Sequence, residues 1–452
     1  MSNTTDMTKG SAFWHILKFS LPLILTNLGQ QFYMIVDAAI VGRGVGVSAL
    51  AAVGATDWIN WMFLWGVTGF TQGFATFVSR FFGEKNWDAL QKTIRACVVL
   101  CAVIGVSLTL IGVLCARPLL TLLKTPADIF PAATTYLITM ISGMLIVIGY
   151  NMVASILRAF GDGKTPLIAM IIAALMNIAL DCLFVFVFKL GIFGAALASI
   201  NSQAFSFVYC FKKITKIEYI HLGKTDGKID WKLSKDMLFF STPLATEYMV
   251  ISLGGIILQS SVNAEGSIFL AGYTATNKLY SLLESSSISI GYAVCTFLSQ
   301  NYGAGNYSRV KTGVKIGSLL VCGMAVVVGC VSLLLRRPML SMFLDVNEAG
   351  GAEAMQIGVR YLTMLAVCLV GLYLIHVFRN ALQAIEISVW SMISGFGECA
   401  VRVFMAKVIY GKFMGGDALL LAEPLAWAIA LILVIFPYFY YSKKLLADQR
   451  SI

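Results

Sequence analysis

Twelve apolar stretches, each long enough to cross a bilayer, recur along this chain, and little else constrains a fold so tightly. A span needs about 20 apolar residues. The stretches lie at about 15–42, 49–78, 92–115, 131–157, 166–188 and 191–211. Six more follow a polar gap, at about 236–263, 267–298, 311–335, 353–378, 388–410 and 419–441. Several exceed what a bilayer needs, which predicts tilted or bent helices. Only 12% of the 452 residues are charged and 58% are hydrophobic, whereas soluble domains carry roughly 25% charge. That leaves too little polar surface for a soluble enzyme. It also excludes a disordered chain, which needs low hydrophobicity and high charge. The expected fold is an all-α integral membrane protein of twelve helices in two pseudo-symmetric six-helix lobes.

The net charge of +10 does not point to nucleic acid, because no aromatic-interleaved basic stripe accompanies it. It sorts by side instead. With the N-terminus cytoplasmic, about two-thirds of the Lys and Arg residues fall on the inner side, Arg158, Arg379 and the lysines of 212–235 among them. The outer side holds Arg43, Arg117, Lys124, Lys189, Arg336, Arg337, Lys407 and Lys412, while Lys278, Arg360 and Arg402 lie within spans. This bias predicts both termini in the cytoplasm of a cell-membrane protein. The polar residues through Ser11 carry one Lys and no short apolar core, so no cleaved signal peptide is expected. The ten cysteines show no metal-knuckle spacing and read as small packing residues.

The second half repeats the first. Phe19-Ser20-Leu21-Pro22-Leu23 recurs as Phe240-Ser241-Thr242-Pro243-Leu244, Ser79…Gly83…Asn86 as Ser299…Gly303…Asn306, Arg117-Pro118 as Arg337-Pro338, and Arg158 as Arg379. Each repeat holds six spans, so both face the same way, and parallel repeats of this kind belong to carriers with a cavity between halves. The expected division is 1–211 for the N-terminal lobe, 212–235 for a cytoplasmic linker, 236–441 for the C-terminal lobe and 442–452 for a tail.

An ionised side chain in a span costs about 2.5–3.5 kcal/mol on insertion scales unless paired or hydrated. Asp37 lies near the outer end of span 1, and span 5 carries Asn177 and Asp181 four residues apart, on one helix face. Tyr136 and Ser199 come out at similar depth. Oxygen groups at one level suit a hard cation, and two close carboxylates equally suit a shared proton. Glu247 in span 7 and Glu284 in span 8 are candidates either to line a substrate cavity or to sit hydrated. Glu398 and Arg402 have the spacing of a neutralised pair, and Asp57 and Glu423 lie near wet span ends.

Together, Pro22 with Asp37-Ala38-Ala39-Ile40-Val41-Gly42-Arg43, the run Leu50–Gly54, the loop Leu157–Pro166, Asn177–Asp181 and Gly194–Ser199 resemble the MATE (multidrug and toxic compound extrusion) transporters, and the likeness runs over essentially the whole chain. The resemblance implies a two-lobed antiporter that expels small organic, often cationic, compounds in exchange for H⁺ or Na⁺ by alternating access. It places the cation site on Asp37, Asn177, Asp181 and Ser199, with Na⁺ held there in a sodium-coupled carrier. Gln30, Tyr136 and Asn151 match residues near that site and the cavity. It implies no cofactor, no nucleic acid and no obligate protein partner, hence a monomer in the lipid bilayer. The competing reading is a lipid-linked oligosaccharide flippase of the same superfamily, which the acids and the span count disfavour. An intramembrane enzyme would need a catalytic pair, and His15, His221 and His376 form no hydrolase motif.

Overall fold

The computed structural model describes residues 4–123, 125–218, 220 and 229–450, the side chains at 47, 50 and 445–450 excepted. Lys124, His221, Lys224 and the rest of 221–228 in the expected linker lie outside the described residues.

Among those residues there is no strand, and the expected spans are helical throughout. In chain order they are α1 (Ala12–Gly44), α2 (Val47–Glu84), α3 (Trp87–Leu122), α4 (Phe130–Ser142 and Met144–Ala159), α5 (Lys164–Asp181, continued by the π-helical Cys182–Val187) and α6 (Gly191–Ile214). Then come α7 (Trp231–Ala264), α8 (Ser267–Gly303), α9 (Tyr307–Leu334), α10 (Gly351–Ala384), α11 (Val389–Phe404, continued by the π-helical Met405–Met414) and α12 (Gly416–Arg450). A five-residue helix, Arg336–Leu340, lies between α9 and α10. Eight of these are long and apolar enough to cross a membrane unaided, and α4, bent by 46° between its limbs, makes a ninth. The polar side chains of α1, α2 and α11 set those three apart, Asp37, Asp57, Glu398 and Arg402 among them.

The helices turn their apolar faces outward as much as inward. In α3 and α5 only 22% of the most apolar window is buried, and Val103, Leu110, Leu114 and Leu175 are exposed. In water such surface would be an association hazard; against lipid tails it is matched, so the protein is a multi-pass membrane protein.

The chain forms two compact units, one of Met1–Lys9 with Leu25–Ala245 and one of Gly10–Ile24 with Thr246–Ile452. The boundary cuts α1 just after Pro22 and α7 just after Pro243, the same place in each repeat. Within the first unit α6 packs against α4 and α5, and Phe82 meets Phe160 edge-on at 5.0 Å. Within the second, α8 and α10 pack along much of their length, with Tyr273 stacked on Tyr361 at 4.9 Å.

Two local devices fix α5. Asp162 caps its first turn, accepting from Thr165 N–H at 3.0 Å and from Thr165 Oγ1 at 2.5 Å. The preceding Gly161 has φ +75, and a Cβ there would lie 2.9 Å from the carbonyl oxygen of Thr5. Thr5 is itself docked, its N–H donating to Phe160 O at 2.8 Å. At the other end, Lys189 (φ 53) breaks the helix between α5 and α6, in keeping with the two separate apolar stretches 166–188 and 191–211.

Candidate cation-exchange site

On α1, Tyr33 and Asp37 are one helical turn apart; on α5, Asn177 and Asp181 are likewise. The packing of α6 on α5 adds Ser199. Asn177, Asp181 and Ser199 are buried and Asp37 is half-buried. With its amide oriented to satisfy both ends, Asn177 donates through Nδ2 to Asp181 Oδ2 at 2.8 Å and accepts the Ser199 N–H at 3.2 Å. The Tyr33 hydroxyl lies 3.4 Å from Ser199 Oγ. Asp37 and Asp181 come within hydrogen-bonding reach of each other. Tyr136, buried on α4, lies in the electrostatic field of both.

Each carboxylate keeps one buried oxygen, Oδ1 of Asp37 and Oδ1 of Asp181, without a hydrogen-bond partner among the described residues. A buried orphan acceptor costs free energy, and two adjacent carboxylates add mutual repulsion. A shared proton or a bound alkali cation removes both costs. Two carboxylates, an amide and two hydroxyls are an oxygen-only donor set, the chemistry of a hard cation. No group of three or more His, Cys, Asp or Glu placed to hold a metal ion occurs among the described residues, and the set here lacks the nitrogen and sulfur donors typical of a transition-metal centre.

The other sequence candidates spread out. Gln30 is exposed on α1, two turns before Asp37. Asn151, on the second limb of α4, is half-buried and donates to Val147 O of its own helix at 2.9 Å. Glu284 faces His376, with Oε1 3.5 Å from Nε2. Glu247 is buried in the second unit, its Oε1 3.1 Å from Arg379 Nε.

That contact opens a network that sequence reasoning divided wrongly. Arg379, assigned to the cytoplasmic charges, is instead buried in α10, where it also meets Glu398 Oε1 and Ser394 Oγ at 2.7 Å each. Glu398 in turn reaches Arg402 at 3.4 Å. Glu423, expected at a wet span end, is buried too, because the Arg402 fork spans to it bidentately at 3.0 and 2.7 Å. The result is an alternating chain, Glu247–Arg379–Glu398–Arg402–Glu423. Arg379 and Glu423 were missed as members because burial of a charge depends on a partner from another helix, which spacing along one helix does not reveal. Tyr33 was missed as a site residue, although its place one turn before Asp37 was a usable signal.

Membrane-spanning helices that hold a carboxylate pair among oxygen donors suit a membrane transporter. The MatE family profile matches residues 22–183 and again residues 243–408, and the chain belongs to that family. It is 32% identical over 305 residues to the probable multidrug resistance protein YpnP of Bacillus subtilis (strain 168), covering 68% of each chain. It is 28% identical over 353 residues, 76% of each, to the probable multidrug resistance protein YoeA of the same organism. In fold it is similar to an outward-facing multidrug resistance MATE family transporter of the MOP superfamily, with a TM-score of 0.90, 18% identity and 99% of both chains covered.

Proposed function

We propose that this protein exports small, mostly lipophilic cationic compounds across the cell membrane in exchange for H⁺ or Na⁺, acting as a monomer with both termini in the cytoplasm. The coupling ion binds at Asp37, Asn177, Asp181 and Ser199. One observation carries the reading: two carboxylates from different helices approach each other in a buried oxygen shell, each with an orphaned oxygen. A pair of this kind releases or takes up one positive charge at little structural cost, as an exchanger requires. The names of YpnP and YoeA support drug-like substrates. An inward gradient would supply about 1.4 kcal/mol per pH unit and about 2.3 per charge per 100 mV. Proteoliposomes loaded with a fluorescent lipophilic cation test this under separately imposed Na⁺ and pH gradients. Transport driven by one of the two supports the reading and names the ion; transport indifferent to both refutes coupling.

A further inference from the structure

The two family matches begin 221 residues apart (22 and 243) and end 225 apart (183 and 408). The drift of four has a visible source. Arg158 ends one residue before the end of α4, whereas its counterpart Arg379 is followed by five more residues of α10, an added helical turn. With these offsets Tyr33 corresponds to Gly254, Asp37 to Leu258, Asn177 to Arg402 and Asp181 to Ala406. The last helix of each repeat starts at Gly191 and Gly416, again 225 apart, so Ser199 corresponds to the Glu423–Pro424 step.

We infer that the second unit carries a guanidinium-binding site whose ligand is the chain's own Arg402, so that this counterpart of the exchange site holds a cation it never gives up. The Arg402 head is held on every side: Nε and Nη2 donate to Glu423, Nη2 reaches Glu398, and Nη1 donates to Ile251 O at 3.1 Å. Volume is exchanged along with charge. Where the first unit pairs a large Tyr33 with a small Asn177, the second pairs Gly254 with a long arginine, and a Cβ at Gly254 would lie 3.4 Å from Arg402 Cδ and 3.0 Å from the Cα of Cys399. Leu258 and Ala406 stand where the two exchangeable acids would be. A guanidinium does not lose its proton in a protein, so this site cannot cycle as a carboxylate pair can. The contrast with the first unit rests on the exchange reading above; the guanidinium site rests on this geometry alone.

Chemical rescue tests it without any transport assay. In purified full-length protein, Arg402→Ala should lower the melting temperature by about 5–15 °C, as breaking a buried ion pair does. Guanidinium ion at about 10 mM, far below denaturing levels, should recover a saturable part of that loss while leaving the native protein unmoved. Sodium or methylammonium chloride at equal ionic strength should recover none. The recovery should vanish in Arg402→Ala/Glu423→Gln. Absence of recovery, recovery by the control salts, or recovery that survives the loss of Glu423 would each overturn the assignment. Should Arg402→Ala fail to accumulate, Arg402→Met keeps the stem's volume, and the same outcomes decide. Loss of export in an Asp37 variant would leave this result untouched, so the two readings fail separately.

Discussion

The corresponding polar sites of the two repeats solve one problem in opposite ways. Both bury charge among α-helices facing lipid, where an unpaired ion is costly. The first places two acids beside an amide and hydroxyls and leaves one oxygen of each acid unmatched. The second surrounds two arginines with three glutamates and matches them within the chain. One arrangement leaves two acceptors open, and the other pairs both guanidinium groups while carrying one glutamate more than it has arginines. Under the exchange proposed above, duplicated halves do not duplicate function: with Arg402 in place of Asn177 and Gly254 in place of Tyr33, the second site holds a fixed cation where the first would exchange one.

The contrast breaks most sharply at the acids. Asp37→Asn and Asp181→Asn should each abolish gradient-driven export while folded protein remains in the membrane. The double variant should be no worse than either single one, because the pair titrates as a unit. Dye export from vesicles at matched protein levels reads this out. Full export in Asp37→Asn combined with its loss in Glu247→Gln would move coupling to the second unit.

Variants in the second unit should move stability before transport. Arg379→Ala strips Glu247 of its guanidinium and Glu398 of one of two, a loss of about 3–5 kcal/mol seen as lower melting temperature and yield. Glu398→Gln should cost only about 1 kcal/mol. Five charges explain the difference: without Glu398, Glu247–Arg379 and Glu423–Arg402 still close as two neutral pairs. Equal losses for the two variants would mean that Glu398, rather than the arginines, organises the network.

Smaller effects sharpen the comparison. Gly254→Ala puts a methyl against the α11 backbone and should cost about 1–3 kcal/mol, the range of overpacking. Tyr33→Phe removes one hydroxyl at 3.4 Å from Ser199 and should cost less than about 1 kcal/mol. Its signature should be a severalfold higher half-saturating Na⁺ or H⁺ concentration with unchanged maximal export. An unchanged cation dependence would remove Tyr33 from the shell.

Much of this was legible in the sequence, and what was not has a physical reason. Span existence followed from long apolar runs, which permit one backbone solution in lipid. Asn177 and Asp181 stood out because their spacing fixes a common face on any helix. Arg379 and Glu423 did not, since a charge near a span end reads as hydrated until a partner from another helix buries it. The π-helical stretches after Asp181 and Phe404 left no trace either: hydrogen bonds of the i→i+5 type have no residue signature comparable to a cap or a proline.

The π-helical stretch Cys182–Val187 also carries a consequence for how this chain tolerates change. A π turn behaves as a helix with one residue inserted, and each residue turns an α-helix by about 100°. Asn177 and Asp181 lie on the α-helical side of the insertion, so their register to Ser199 is set before the extra residue is reached. The stretch from Phe188 to Leu190 lies beyond it. A single-residue deletion within 183–187 would therefore rewind the segment to an α-helix and leave both the acid pair and the Phe188–Leu190 connection in place. In this helix the turn that follows Asp181 could gain or lose a residue while the paired polar groups stay still.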